Sequence, residues 1–125
     1  MSRQLLLFIV IGTLAAATHW GAVVLLVSHL KITPLVANLL GWLSAFIVSF
    51  SGHYTLTFAQ QASSLGTALR RFFLVSALGF AVNESAYALL LHYSSVSYQY
   101  LLALILIAMA VLTFTLSRLW AFART

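Results

Sequence analysis

The stretch PLVANLLGWLSAFIVSFSGHYTLTF, residues 34–58, contains no charged side chain from end to end. At about 1.5 Å of rise per helical residue it is long enough to cross a hydrocarbon core of about 30 Å. Thr33 is placed to cap such a helix, and Pro34 suits the first helical position, where a missing N–H costs nothing. Outward from this segment the pattern repeats: charge-free runs extend over Gln4–Leu30, Ile32–Leu69 and Ser85–Ser117. The 125-residue chain is 63% hydrophobic and 6% charged, where soluble domains average roughly 45–50% and about 25%. A water-facing surface cannot be built from so few charges.

These runs predict an all-α membrane protein of four transmembrane helices, near Gln4–Val27, Pro34–Phe58, Arg71–Leu91 and Tyr98–Phe122. They form a single domain over 1–125, divided into a first repeat of about 3–58, a loop of about 59–70 with a polar start at Gln60, and a second repeat of about 71–122. Arg3, Arg70, Arg71, Arg118 and Arg124 fall on one side of that path and Lys31 alone on the other. Positive residues favour the cytoplasm, so both termini and the middle loop are expected inside. Arg3 and an Ala15-Ala16-Ala17 patch resemble a cleavable leader, but the apolar pattern continues past the patch and returns later, which argues for a retained helix.

The halves resemble each other. Arg3 to Gly12 spans the same interval as Arg70 to Gly79, and Ser49-Phe50 stands as far before Phe58 as Thr113-Phe114 does before Phe122. The first match sets the halves 67 residues apart and the second 64, so a shorter second external turn is expected. Two copies of a two-helix unit keep the same orientation, a parallel repeat. Small residues at four-residue spacing, Ala37, Gly41, Ala45 and Ser49 in the second helix and Ala77, Ala81 and Ser85 in the third, predict close helix contacts.

Composition excludes much chemistry. One acidic residue, no cysteine and one proline leave no paired carboxylates, thiolate metal site or P-loop. No enzyme activity, cofactor or metal is expected, and the basic balance reads as topology and lipid-headgroup contact rather than nucleic acid. Glu84 is the informative exception. An ionisable group among acyl chains costs at least about 2.5 kcal/mol on insertion scales, so it faces the bundle interior and has a partner or a task. It lies about 20 Å along its helix from Arg71, and His19 about 24 Å from Arg3. That similar depth predicts a direct meeting of the two, which removes an isolated buried charge, with Asn83 adding an amide beside them. Glu84 held simply as packing glue is the plainer alternative. At the inner side, Arg118, Arg70, Arg71 and Arg3 suit phosphate oxygens, with Arg70, Arg71 and Arg3 read as helix N-termini. Snorkelling accounts for such arginines as well. Trp20, Trp42, Trp120, Tyr93, Tyr98 and Tyr100 are expected as interfacial or lipid-facing residues. His29 and His92 belong at the outer interface and His53 at the inner one.

Residues 34–58, opening on proline with Ala37-Asn38 close behind and closing on Thr57-Phe58, resemble the second helix of GtrA-like proteins. Ser117-Arg-Leu-Trp-Ala-Phe122 is similar to the family's repeated ending, and Gly79 to Glu84 to its third helix with its Asn-Glu pair. The resemblance covers essentially the whole chain. It implies a small four-helix protein of the bacterial cytoplasmic membrane that flips a polyprenyl-phosphate-linked monosaccharide, such as undecaprenyl phosphate glucose, for envelope polysaccharide assembly. It further implies membrane lipids around it, a homo-oligomer or a glycosyltransferase partner, a headgroup site of Arg118, Arg70, Arg71, Arg3 and His53, and a polar site of Glu84, Asn83, His19 and Asn38. His53-Tyr54 stand where the family often has Asn-Arg, and His19 stands near a position often acidic, which shifts weight to Arg118. A non-transporting accessory subunit of a glycosyltransferase and a small proton-coupled drug exporter are the alternatives. The exporters usually carry their acid in the first helix, not the third.

Overall fold

The computed structural model describes residues 2–59 and 64–123; Gln60 to Ser63 and Arg124 lie outside them. Four helices follow in order: α1 (Arg3–Ser28), α2 (Pro34–Gly52), α3 (Leu65–Tyr93) and α4 (Tyr98–Leu116). α2 and α4 each run on into a π-helical turn, His53–Thr57 and Ser117–Ala121. With these turns all four are long and apolar enough to cross a membrane. A bilayer interior offers no water to backbone groups, and helices satisfy them internally.

Local sequence sets the ends. Ser2 caps α1 by accepting from the Leu5 N–H at 3.1 Å, and Ser64 caps α3 by accepting from the Thr67 N–H at 3.4 Å. Thr33 adopts the extended conformation of a capping residue ahead of Pro34, but its side chain makes no cap bond, so proline rather than the hydroxyl starts α2. After α1 the chain reverses through Lys31 at φ 60°, whose ammonium donates to the Ser28 carbonyl at 2.8 Å.

Neighbour order around the bundle is α1, α2, α3, α4, with α1 and α2 packed most closely and α4 returning loosely to α1. Two cores fill it. One, at the end that carries Arg3, Arg70, Arg71 and Arg118, gathers Phe8, Phe58, Phe72, Val75 and Phe122. The other, toward the Lys31 end, gathers Val23, Ala37, Tyr87, Leu102 and Ile105. The outer surface is apolar: Ile107, Val111 and Leu119 are each at least 70% exposed, while His19, Asn38, His53, Asn83 and Ser117 are buried. Polar inside and apolar outside suits acyl chains as solvent. Hydroxyls on outer faces bond back one turn, as Thr13 does to the Ile9 carbonyl and Ser85 to that of Ala81, which meets their needs within one helix.

The duplication is more regular than the arginines indicate. Buried residues pair at a constant separation of 64: Phe8 with Phe72, Ile11 with Val75, His19 with Asn83 and Val23 with Tyr87. The same interval relates Ala37 to Leu101, Gly41 to Ile105, His53 to Ser117, and Phe58 to Phe122. The 67-residue match is therefore corrected, and the second external turn, 94–97, is one residue shorter than the first, 29–33. α3 starts at Leu65, six residues ahead of the expected Arg71, so Arg70 and Arg71 lie in its second turn rather than at its N-terminus.

The α2 stripe does pack. A Cβ on Gly41 would stand 2.8 Å from His19 Cδ2 and 3.0 Å from the His19 carbonyl oxygen, and one on Gly52 would stand 2.5 Å from Ile11 Cγ2. The α3 stripe does not: Ala81 and Ser85 are exposed, because the buried face of α3 follows Phe72, Val75, Asn83 and Tyr87.

Candidate functional site

Three helices converge on Asn38, which is fully buried one turn inside α2. Its Oδ1 lies 2.6 Å from His19 Nε2 on α1. Its Nδ2 donates to Asn83 Oδ1 at 2.8 Å and to Glu84 Oε1 at 3.0 Å, both on α3. Since Nδ2 faces the acceptors on α3, Oδ1 faces α1, and, as an amide oxygen only accepts, His19 donates from Nε2. The four residues form one hydrogen-bonded chain across the bundle. His19 and Asn83 are buried and Glu84 is half-buried.

This corrects the expected direct meeting of His19 and Glu84. α1 and α3 are not neighbours in the ring, and α2 supplies the amide that joins them. Gly41, one turn further along α2, is what admits the ring of His19: no side chain fits between that helix and His19.

Below this chain, toward the arginine end, lies a cavity of about 150 Å³ lined by His19, Trp42, Ser49, Ser76, His53 and Thr113 among apolar side chains. Trp42 is not an interfacial residue. Its Nε1–H donates to Ser76 Oγ at 2.7 Å, and its ring stacks on Phe80 at 4.8 Å. On the lipid side, between α1 and α4, a groove of about 600 Å³ is floored by Gly12, Ala16, Ala17, Ala103 and Ala110 and bounded by Trp20. Groove and cavity share Phe8, Gly12, Ala16, Leu106 and Ala110, so the interior adjoins lipid along this seam. Trp20 also ties α1 to the start of α4, donating to the Gln99 carbonyl at 3.0 Å.

The residues expected at a headgroup site are placed differently from one another. His53 is only 1% exposed: it stacks on Phe8 at 4.8 Å between ring centroids, and its Nδ1 lies 2.9 Å from Thr57 Oγ1. It sits inside the bundle and not at the surface, one turn beyond Ser49 on the packed face of α2. Arg71 lies over the Trp120 ring and donates to the Trp120 and Ala123 carbonyls at 3.4 and 3.3 Å, a clamp on the end of the last helix. Arg70 is exposed and borders a shallow surface depression with Gly66, Leu69, Phe73 and Leu74. Arg3 and Arg118 are exposed at the same end. None of the four arginines lines the central cavity.

Sequence reasoning missed the Trp42–Ser76 bond and the aromatic layer around Phe8. The 64-residue pairing of Phe8 with Phe72, had it been used as the repeat register, signals that layer.

Four apolar helices that turn their few polar side chains inward onto one another define a multi-pass membrane protein. The GtrA/DPMS transmembrane domain model matches residues 7–122, and the chain belongs to that family, which makes it a membrane protein of glycosylation pathways. No curated protein and no solved structure matches it.

Proposed function

We propose that the chain moves a polyprenyl-phosphate-linked monosaccharide from the cytoplasmic to the outer leaflet of a bacterial cytoplasmic membrane, where a glycosyltransferase uses the sugar. The observation that carries this reading is the His19–Asn38–Asn83–Glu84 chain, with Glu84 half-buried and the rest buried, whose His19 lines a cavity adjoining a seam open to lipid. A lipid-linked sugar has two parts that need opposite surroundings. The sugar phosphate needs donors and acceptors inside the bundle, and the prenyl chain needs to stay in hydrocarbon while still attached. A lipid-facing groove that adjoins a cavity bearing His19, Ser49, Ser76 and Thr113 meets both needs at once.

In this scheme Arg3, Arg70 and Arg118 gather the phosphate at the cytoplasmic side, and Arg71 holds the end of the last helix for them. The polar chain receives sugar hydroxyls partway across. No bond is made or broken, so the chain is a carrier and not an enzyme, and it needs no cofactor; the gradient of substrate drives net movement. A cavity of about 150 Å³ is small for the whole headgroup, so a second copy or a glycosyltransferase partner completes the path.

The test is reconstitution of the purified chain in liposomes holding labelled undecaprenyl phosphate glucose, with leaflet exposure followed by a membrane-impermeant oxidant of the sugar. Exchange well above protein-free vesicles is the expected result. Absence of exchange, together with activation of a co-purified glycosyltransferase, would replace the carrier with an accessory subunit.

A further inference from the structure

We propose that the two π-helical turns and the aromatic layer they carry form a gate that closes the central cavity at the arginine end, and that the second turn is the part that moves. The Phe58 N–H donates to the His53 carbonyl at 2.8 Å and the Phe122 N–H to the Ser117 carbonyl at 3.1 Å. Each bond spans five residues, which widens the turn by one residue and brings the next ring under the bundle; such turns concentrate at functional sites. Their occurrence at the same place in both repeats, 64 residues apart, makes them a built feature rather than a local accident.

The rings they deliver meet face to face. Phe58 and Phe122 stack with centroids 4.8 Å apart and planes 11° from parallel. Phe72 packs 5.1 Å from Phe122, and Phe8 covers His53 and touches Phe114 at 4.6 Å. Phe58, Phe72 and Phe122 are at most 1% exposed. Beyond this layer toward the Lys31 end lies the cavity that reaches from His53 to His19, and rings of the layer, Phe8 and Phe72, form its wall on the arginine side.

The two turns are unequal. In the first, His53 and Thr57 bond to each other at 2.9 Å. In the second, Ser117 and Ala121 hold the same positions, alanine offers no partner, and the fully buried Ser117 hydroxyl oxygen has none among the described residues. A buried hydroxyl left unsatisfied weighs against the state that buries it, and an opening that gives it a partner relieves that cost. The first turn is therefore stapled and the second poised. Such a gate controls access to the cavity whatever crosses it.

The chain has no cysteine, so a single Thr113→Cys places the only thiol on the cavity wall. The full chain, reconstituted in liposomes without substrate, is treated with a charged methanethiosulfonate, which cannot enter through the lipid-facing groove. Adding Phe122→Ala should speed labelling from the arginine end by at least about tenfold, because losing a buried ring costs the closed state far more than a factor of ten is worth. Adding Ser117→Ala removes one oxygen, keeps the shape and should slow labelling, since the closed state loses its unsatisfied group. Should Phe122→Ala aggregate, Ser117→Ala decides alone: labelling that is unchanged or faster overturns the gate. A Thr113→Cys chain that already reacts as fast as its Phe122→Ala derivative overturns it too. Exchange of a lipid-linked sugar is not read here, so failure of the gate and failure of the carrier reading are separable.

Discussion

Asn38 is the residue on which the polar interior turns. Both of its amide protons and its oxygen are engaged, with three side chains on two other helices. Asn38→Leu keeps about the same bulk and leaves His19, Asn83 and Glu84 without that partner. Each polar group so left costs about 1–3 kcal/mol in a protein interior, and interhelical bonds within bilayers average nearer 0.6 kcal/mol, so a net loss of about 2 kcal/mol is expected. The measurement is thermal unfolding of the detergent-solubilised protein, beside leaflet exchange, which should disappear. Glu84→Gln separates the two effects: its amide oxygen still accepts from Asn38, so the melting temperature should hold while exchange falls. An Asn38→Leu protein with parental stability and exchange removes the network from both roles. Glu84, His19 and Asn83 were legible in the sequence because polarity stands out in apolar runs. Their bridging was not, because counting along a helix gives depth and not the face a residue occupies.

Helix pairing rests on close approach, and the glycines measure it. A Cβ at Gly41 would press on the His19 ring and on the α1 backbone, whereas one at Gly21 would meet nothing within 4 Å. Gly41→Ala should therefore push α1 from α2, lengthen the His19–Asn38 bond and cost about 1–3 kcal/mol by overpacking. Gly21→Ala should be neutral or raise stability by up to about 1 kcal/mol, since alanine is the better helix former. Equal melting temperatures for the two variants would contradict the tight α1–α2 interface. The same interface explains how far the repeat could be read. The duplication itself was visible from paired motifs, but anchoring it on Arg3 and Arg70 gave the wrong register. Interfacial arginines reach water from several helix positions through long stems, so their spacing drifts, while buried positions such as Phe8 and Phe72 cannot slide without losing their contacts. The small residues Ala81 and Ser85 misled for a related reason: small size permits close approach, but only a neighbouring helix on that face uses it.

At the scale of the whole molecule, the feature that sequence periodicity could not supply is the seam between α1 and α4. Its floor residues, Gly12, Ala16, Ala17, Ala103 and Ala110, come from both ends of the chain, and only the folded ring brings them to one side. Their smallness has a physical consequence. Where α4 returns to α1, the floor of the groove is lined by methyl groups and a glycine, and the space left over faces lipid and adjoins the inner cavity through shared lining residues. If a prenyl chain rides in this groove while its headgroup is inside, filling the groove must stop exchange without disturbing the fold. Ala17→Trp and Ala110→Phe add bulk at exposed positions of the groove wall, where surface changes usually stay within about 0.5 kcal/mol. Val111→Trp adds similar bulk at a position 72% exposed that does not line the groove. The expected outcome is parental melting temperature in all three, exchange reduced by at least about tenfold in the first two, which corresponds to roughly 1.4 kcal/mol on the barrier, and parental exchange in the third. Equal rates across the set would mean that the lipid tail passes elsewhere, and would shift the path to an interface between copies of the chain. A loss in Val111→Trp alone would point to the same interface from the other direction, since that side chain reaches outward toward whatever packs on α4.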